Sequence, residues 1–178
     1  MGETRAARHV VVIGLMAAGK STLGEALARR LGRRFYDNDR QVADLAGAPA
    51  AKILDRHGRD ALHDIETAAL HEALDSEAPA VITAAAATVL DERARARLQD
   101  EALVVWVRAA PAVLAERAAA GDPRPGLEGD ESDVAQLARM AAERASLFRE
   151  VADVVVDTDR TPVDEAVTSI AAGLSRPG

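Results

Sequence analysis

A glycine-rich segment near the beginning of the sequence has the residue types and spacing of a phosphate-binding loop. Gly14 is separated by four residues from Gly19, which Lys20 and Ser21 follow directly. Such glycines let the chain fold back so that successive backbone N–H groups point at a phosphate, while the lysine neutralises phosphate charge and the serine hydroxyl holds Mg²⁺. The segment therefore predicts a site for a nucleoside triphosphate and Mg²⁺ that is formed by Gly14, Ala17, Ala18, Gly19, Lys20, Ser21 and Thr22.

The sequence on either side of this loop fits the same interpretation. The apolar run HVVVIGL at 9–15 predicts a buried strand, and KSTLGEALARRLG at 20–32 predicts a helix that ends at its final glycine. A helix that begins directly after the loop brings the positive end of its dipole to the phosphate. The Gly-x-Gly-x-x-Gly spacing of dinucleotide-binding turns is absent here, which argues against a dinucleotide cofactor.

Two carboxylates follow the second predicted strand. Asp37 and Asp39 are one residue apart in FYDND, and on an extended strand both side chains would lie on the same face. One of them could reach Mg²⁺ while the other accepts the proton of an acceptor hydroxyl. The simpler alternative is that Asn38 or Asp39 caps the helix that follows.

The elements that must position these residues alternate regularly along the chain. We place five strands at 9–15, 34–37, 79–84, 102–108 and 153–158, and helical patterns lie between them except between the third and the fourth. Continuous apolar strands joined by helices predict an α/β fold, with three α/β/α layers and a parallel sheet of about five strands. We expect residues 1–178 to form one domain. A segment rich in Gly, Pro and acidic residues predicts a lid loop at about 118–131.

Composition excludes several classes of function. The net charge of −7 and the 2% aromatic content argue against a nucleic-acid partner, which needs a basic face or stacking platforms. The sequence has no cysteine, no run of about 20 apolar residues for a membrane span, and no recognisable secretion signal. We therefore expect a monomeric cytoplasmic protein that acts on a small molecule and binds neither nucleic acid nor membrane.

The sequence resembles the shikimate kinase family from about residue 9 to residue 158. The resemblance is carried by GLMAAGKSTLGEALARRLGRRFYDND, by GRDALHDIE, which contains Glu66, by RPGL in the predicted lid, and by ERASLFREVADVVVDT. It implies the P-loop kinase fold of the nucleoside monophosphate kinases. It also implies that the γ-phosphate of ATP is transferred to a hydroxyl of shikimate, in the biosynthesis of aromatic amino acids.

The resemblance assigns roles to individual residues. Asp37 resembles the carboxylate associated with Mg²⁺, and Asp39 resembles the residue that binds and activates the acceptor hydroxyl. Arg117 corresponds to an arginine that packs on adenine, Arg124 to one that closes over the phosphates and the acceptor, and Arg144 to one of two that hold the shikimate carboxylate. The implied catalytic residues are Lys20, Asp39 and Arg124.

Each assignment of an arginine or of Glu66 has a simpler alternative. Arg144 could be a solvated charge on an Ala-rich helix, and Arg117 an exposed cation at the end of a helix. Arg124 could be an exposed loop residue. Glu66 lies three residues after His63 on a predicted helix and could pair with it.

The sequence departs from the family pattern at two places, both on the acceptor side. His63 stands where the family has the second arginine that binds carboxylate, and histidine is mostly neutral at pH 7. Arg59, one helical turn earlier, could reach the same position. Ala84, Ala85 and Ala86 stand where the family has three glycines beside the acceptor ring. Their methyl groups would either strain a glycine backbone or fill space that the ring needs.

These departures leave the function open between three interpretations. Shikimate is the acceptor that the family implies, and its binding residues would be Asp39, His63, Ala84, Ala85, Ala86, Arg124 and Arg144. The replacement of arginine by His63 favours a kinase for another polyol or cyclitol. A third interpretation is an ATP-binding protein that resembles shikimate kinase without its activity.

Overall fold

Five parallel strands form a sheet in the order β2–β3–β1–β4–β5. The computed structural model describes residues 8–120 and 132–174. The strands are β1 (His9–Ile13), β2 (Phe35–Tyr36), β3 (Val81–Thr83), β4 (Ala102–Arg108) and β5 (Val154–Asp157). The predicted α/β fold with a parallel sheet of five strands is therefore confirmed, although β2 and β3 are shorter than expected.

The central strand β1 is buried on both faces because its neighbours and the helices cover it. The side chains of Val10, Val11, Val12 and Ile13 are fully buried. On one side β1 pairs with β3, where Val12 lies opposite Thr83, and on the other with β4, where Ile13 lies opposite Trp106. The chain leaves β1 towards β2 and β3 and later crosses to β4, so the sheet has its topological switch point at β1. Ligands of such sheets bind at the carboxyl ends of the strands at this point.

Within the described ranges, seven helices accompany the strands. They are α1 (Lys20–Leu31), α2 (Asn38–Ala46), α3 (Ala50–Leu74), α4 (Glu92–Glu101), α5 (Pro111–Ala120), α6 (Asp133–Val151) and α7 (Val163–Leu174), and a 3-10 turn spans Thr88–Leu90. Helix α1 packs on α7, whereas α5 packs on α6, and α4 on α6 and β4. No helix within the described ranges is both long enough and apolar enough to cross a membrane.

Helix α4 is the element that the sequence pattern did not predict. Its sequence, ERARARLQDE, is mostly charged, and only Ala94 and Leu98 are buried. Two apolar positions do not establish a helical periodicity. The available signal was Asp91, whose side chain accepts a hydrogen bond from the Ala94 N–H and caps the helix.

Helix α3 is broken at Gly58. This residue has φ +83° and ψ 179°, a conformation that is essentially restricted to glycine. The break redirects the chain, so that a second helical half begins at Arg59. Because α3 packs on α2 and reaches β3 and α4, the direction of this second half decides which of its side chains face the carboxyl ends of the strands.

Candidate active site

A cleft of about 680 Å³ lies at the carboxyl ends of the strands. Its walls include the loop after β1, the residues after β2, β3 and β5, and parts of α3, α5 and α6. Among the predicted site residues, those that line the cleft are Ala17, Gly19, Lys20, Ser21, Thr22, Asp37, Asp39, His63, Ala85, Ala86, Arg117 and Arg144. The fold therefore brings together residues that are far apart in sequence.

The phosphate loop depends on glycine at both of its ends. Gly14 has φ +147°, and a side chain there would collide with the carbonyl oxygen of Val107 on β4. Gly19 has φ +93° and begins α1. Between them Ala17 also has a positive φ, of 59°, which costs an alanine some strain. Gly14 and Ala18 are buried and do not line the cleft, so they shape the loop rather than face a ligand.

The N-terminus of α1 is open towards the cleft. Gly19 has no side chain to cap the helix, and the first turn contains no acidic residue. Its first N–H groups therefore lack the usual side-chain acceptor and favour an anion. Lys20 Nζ donates to the carbonyl oxygens of Gly14, at 3.1 Å, and Leu15, at 2.9 Å, and so spans the loop.

Asp37 connects the phosphate loop to the second and third strands. The Ser21 hydroxyl donates to Asp37 Oδ2 at 2.7 Å, and Thr83 Oγ1 donates to the same oxygen at 3.4 Å. Thr83 in turn accepts from the Asn38 N–H at 3.0 Å. A serine hydroxyl and a carboxylate thus meet at the edge of the cleft.

The predicted geometry of the two aspartates is wrong, although both line the cleft. Strand β2 ends at Tyr36, so Asp37 and Asp39 do not share the face of an extended strand. Asp37 is itself the N-cap of α2 and accepts from the Arg40 N–H at 3.4 Å, so the alternative caps Asn38 and Asp39 are also wrong. Asp39 lies in the first helical turn and is exposed to the cleft.

Arg117 is held against the end of β5 and is not the exposed cation of the simpler alternative. Its guanidinium donates to Thr158 Oγ1 and to the Thr158 carbonyl oxygen, both at 3.0 Å. The Thr158 hydroxyl donates to the Ala18 carbonyl oxygen at 2.9 Å. Thr158 therefore connects Arg117 with the phosphate loop, and sequence analysis missed it. Its position directly after the strand DVVVD was the available signal.

The far end of the cleft is formed by α3 and α6. We call this region, made of Arg59, His63 and Glu66 on α3 and Arg144 on α6, the α3–α6 end. The Arg144 side chain is only 8% exposed, which rules out the alternative of a solvated charge. Burial lowers the pKa of Arg144, and no described residue forms a hydrogen bond or an ion pair with it.

His63 and Glu66 have shifted pKa values for the same main reason. Burial lowers the pKa of His63, and the nearby charges of Arg144 and Arg59 lower it further, so this imidazole is neutral at pH 7. Burial and the charge of Asp39 raise the pKa of Glu66 to about 7, against opposing effects of Lys20, Arg144 and Arg59. No ion pair joins His63 and Glu66 in the described part of the chain, so the predicted alternative of pairing is wrong.

The three alanines after β3 do not strain the backbone. None of them has a positive φ, which excludes the predicted strain. Ala84 is fully buried with its N–H bonded to the Val12 carbonyl oxygen, and it does not line the cleft. Ala85 and Ala86 do line it, so only their methyl groups take up cleft volume. Thr88 holds this turn by donating to the Ala85 carbonyl oxygen from both its backbone and its hydroxyl.

The predicted lid falls only in part within the described ranges. Residues 118–120 form the end of α5. The rest of the predicted loop, including Arg124, lies outside the described residues, and the role assigned to Arg124 stays a prediction.

Comparisons with known proteins agree with the family that the motifs indicate. A family model described as shikimate kinase matches residues 16–175. A shikimate kinase of Nitrobacter winogradskyi is 34% identical over 96% of this chain and 80% of its own length, and one of Neisseria meningitidis serogroup C is 35% identical over 94% and 96%.

Solved structures show the same similarity. Shikimate kinase from Acinetobacter baumannii in complex with shikimate has a TM-score of 0.85, with 25% identity over 94% of this chain and 92% of that one. Shikimate kinase from Aquifex aeolicus has a TM-score of 0.77, with 26% identity over 93% and 95%. With the phosphate loop, the parallel sheet and the family model in agreement over nearly the whole sequence, the chain belongs to the shikimate kinase family.

Proposed function

We propose that this protein transfers the γ-phosphate of ATP to a hydroxyl group of shikimate. The observation that carries the proposal is a single cleft with an open phosphate loop and, at its α3–α6 end, the buried guanidinium of Arg144. A buried charge is costly without a partner, and a guanidinium binds a carboxylate through two parallel hydrogen bonds. The family and the shikimate-bound relative support a carboxylated acceptor of this kind.

The donor side of the proposal rests on the phosphate loop. The open N-terminus of α1 would bind the β-phosphate through backbone N–H groups. Lys20 Nζ would exchange its two carbonyl acceptors for β- and γ-phosphate oxygens, and Arg117, fixed by Thr158, would flank the adenine. Phosphoryl transfer depends chiefly on such positioning and on charge neutralisation.

Ser21 and Asp37 are suited to hold Mg²⁺. Their oxygens are 2.7 Å apart at the edge of the cleft, and hydroxyl and carboxylate oxygens are hard ligands of the kind Mg²⁺ prefers. The described residues contain no cluster of three or more His, Asp or Glu that could enclose a metal. Phosphate and water oxygens would therefore complete the coordination shell, and the bound ion would neutralise charge on the transferred phosphate.

Asp39 would orient the acceptor hydroxyl and accept its proton. Its carboxylate lines the same cleft as the phosphate loop and the α3–α6 end, and it is close enough to raise the pKa of Glu66. An anionic group at this position serves as a general base for a hydroxyl that attacks phosphorus. Arg124 would add positive charge during the transfer.

The test is ADP release by the purified protein with Mg-ATP, with and without millimolar shikimate. We expect strong stimulation by shikimate and a loss of at least about 100-fold in kcat for Asp39→Asn, since general base catalysis contributes about 10²–10⁴-fold. Asp44→Asn is the matched control, because Asp44 lies on the same helix but is exposed and does not line the cleft. Absence of stimulation would contradict the proposal.

Two observations favour an acceptor other than shikimate. The methyl groups of Ala85 and Ala86 take up space at the cleft wall, and His63 is neutral there. A kinase for another polyol or cyclitol would be stimulated by a member of an acceptor panel and not by shikimate. Tight ATP binding without stimulation by any acceptor would instead support an ATP-binding protein that lacks kinase activity.

A further inference from the structure

Two arginines approach the α3–α6 end of the cleft from different helices. Arg144 extends from α6, and Arg59 lies at the start of the second half of α3. Both line the cleft. The charge of Arg59 is close enough to lower the pKa of both His63 and Arg144 and to oppose the rise in the pKa of Glu66. Because it lines the cleft together with Arg144, Arg59 is part of the same site.

The backbone at Gly58 accounts for this placement. Its conformation of φ +83° and ψ 179° starts a new helical direction at Arg59. Arg59 and His63 are then four residues apart on one helical face, and both line the cleft, as does Glu66. Asp60 and Asp64 alternate with these residues in sequence and do not line the cleft, although their charges partly oppose the lowering of the His63 pKa.

Neither guanidinium has a carboxylate partner in the described part of the chain. Arg59 forms no hydrogen bond and no ion pair there, and the same holds for Arg144. Glu143 on α6 and Glu66 on α3 are close enough to act on the pKa of Arg144, but neither pairs with it, and the pKa of Glu66 is itself raised to about 7. Two like charges beside a neutral imidazole are electrostatically unfavourable unless an anion lies between them.

We propose that Arg59 and Arg144 together bind the carboxylate of the acceptor, so that Arg59 supplies the positive charge that His63 lacks. This inference rests on the proposed function and makes it more specific. His63 then acts as a neutral neighbour that contributes at most one hydrogen bond. The site selects acceptors that carry a carboxylate, which excludes uncharged polyols and cyclitols.

The test compares Arg59→Gln with Arg56→Gln, a control on the same helix that is exposed and does not line the cleft. We expect Arg59→Gln to raise the KM for shikimate by about 10- to 100-fold, the value of one charged hydrogen bond, with the KM for ATP unchanged. With the methyl ester of shikimate as acceptor, Arg59→Gln and the unaltered protein should have similar KM values. Addition of His63→Arg to Arg59→Gln should recover the KM for shikimate.

The possible results of these experiments distinguish a failure of the role of Arg59 from a failure of the proposed kinase function. A KM for shikimate that is unchanged in Arg59→Gln, or that rises equally for the methyl ester, would overturn the role of Arg59 alone. Calorimetric binding of shikimate that depends on Arg59 but is not followed by ADP release would overturn the kinase function alone. A protein that neither binds nor phosphorylates shikimate contradicts both. Because Arg59 is exposed, its substitution should leave the melting temperature unchanged.

Discussion

At the scale of single residues, the functional side chains that the sequence identifies are positioned by contacts with residues far away in the chain. Asp37 accepts hydrogen bonds from the hydroxyls of Ser21 and Thr83 and at the same time caps α2. Thr158 joins Arg117 to the carbonyl oxygen of Ala18, which is 140 residues away. Residue type indicated the first of these roles, whereas the local signal for the second was no more than the position of Thr158 directly after β5.

Glu66 should make the stability of the protein depend on pH. Its pKa of about 7 in the folded state lies above the ordinary value of 4.5, so the folded state binds the proton more tightly. The free energy of unfolding should therefore fall between about pH 4.5 and pH 7 and be level above that range. Glu66→Gln removes this dependence and should be more stable than the unaltered protein by up to about 3 kcal/mol at pH 8, with no difference at pH 4.

Urea denaturation of both proteins at several pH values measures this difference directly. Glu72→Gln is a suitable control, because Glu72 is on the same helix, exposed, and outside the cleft. A difference between Glu66→Gln and the unaltered protein that is constant from pH 4 to pH 8 would show that the Glu66 carboxyl is not perturbed by folding.

Thr158→Val should weaken ATP binding without unfolding the protein. The substitution keeps the shape of the side chain but removes the hydroxyl that joins Arg117 to the phosphate loop. We expect the KM for ATP to rise about 5- to 30-fold, as one or two hydrogen bonds are lost, while the KM for shikimate changes little. Thr168→Val on α7, which removes only a bond to the Asp164 carbonyl oxygen, should leave both KM values unchanged. Equal KM values for ATP in the two variants would contradict this role.

At the scale of elements, the break in α3 is the feature with most influence on the site. The structure joins the two halves of α3 at Gly58 through a backbone conformation that only glycine adopts readily. The direction of the second half places Arg59, His63 and Glu66 along the cleft. A regular helix through this position would change the direction of this half and with it the placement of these side chains.

Gly58→Ala should affect the acceptor side more than the ATP side. No atom lies within 4 Å of the added methyl group, so its cost comes from the backbone conformation, about 1–3 kcal/mol of stability. If α3 relaxes towards a regular helix, the KM for shikimate rises while the KM for ATP does not. Gly173→Ala, in the regular helix α7 with equally open surroundings and no positive φ, should be neutral or slightly stabilising. Equal stability of the two variants, by thermal denaturation, would contradict this account.

At the scale of the whole molecule, the described surface offers no large apolar face for assembly. The exposed large apolar side chains in the described ranges lie on five different elements, and they are Leu45, Leu90, Val134, Val155 and Val163. Stable dimers usually bury a contiguous apolar patch. The single-domain organisation, the monomeric state and the cytoplasmic location stay predictions.

Light scattering on the purified protein tests the expected monomer. We expect a mass of 18.7 kDa at micromolar concentration, independent of dilution and of added Mg-ATP or shikimate. A mass near twice this value would contradict the expected monomer.

The sequence by itself determined the phosphate loop, the α/β class and the parallel sheet, because these depend on local glycine spacing and on the periodicity of apolar residues. It did not reveal α4, whose helix has too few buried positions, or the role of Thr158. The family resemblance indicated Arg117 and Arg144, but only the tertiary structure decided that Arg59 also lines the cleft. That choice depends on the break at Gly58 and on the packing of α6, which bury Arg144 and bring Arg59 beside it. The same long-range packing decided that Ala85 and Ala86 line the cleft whereas Ala84 does not.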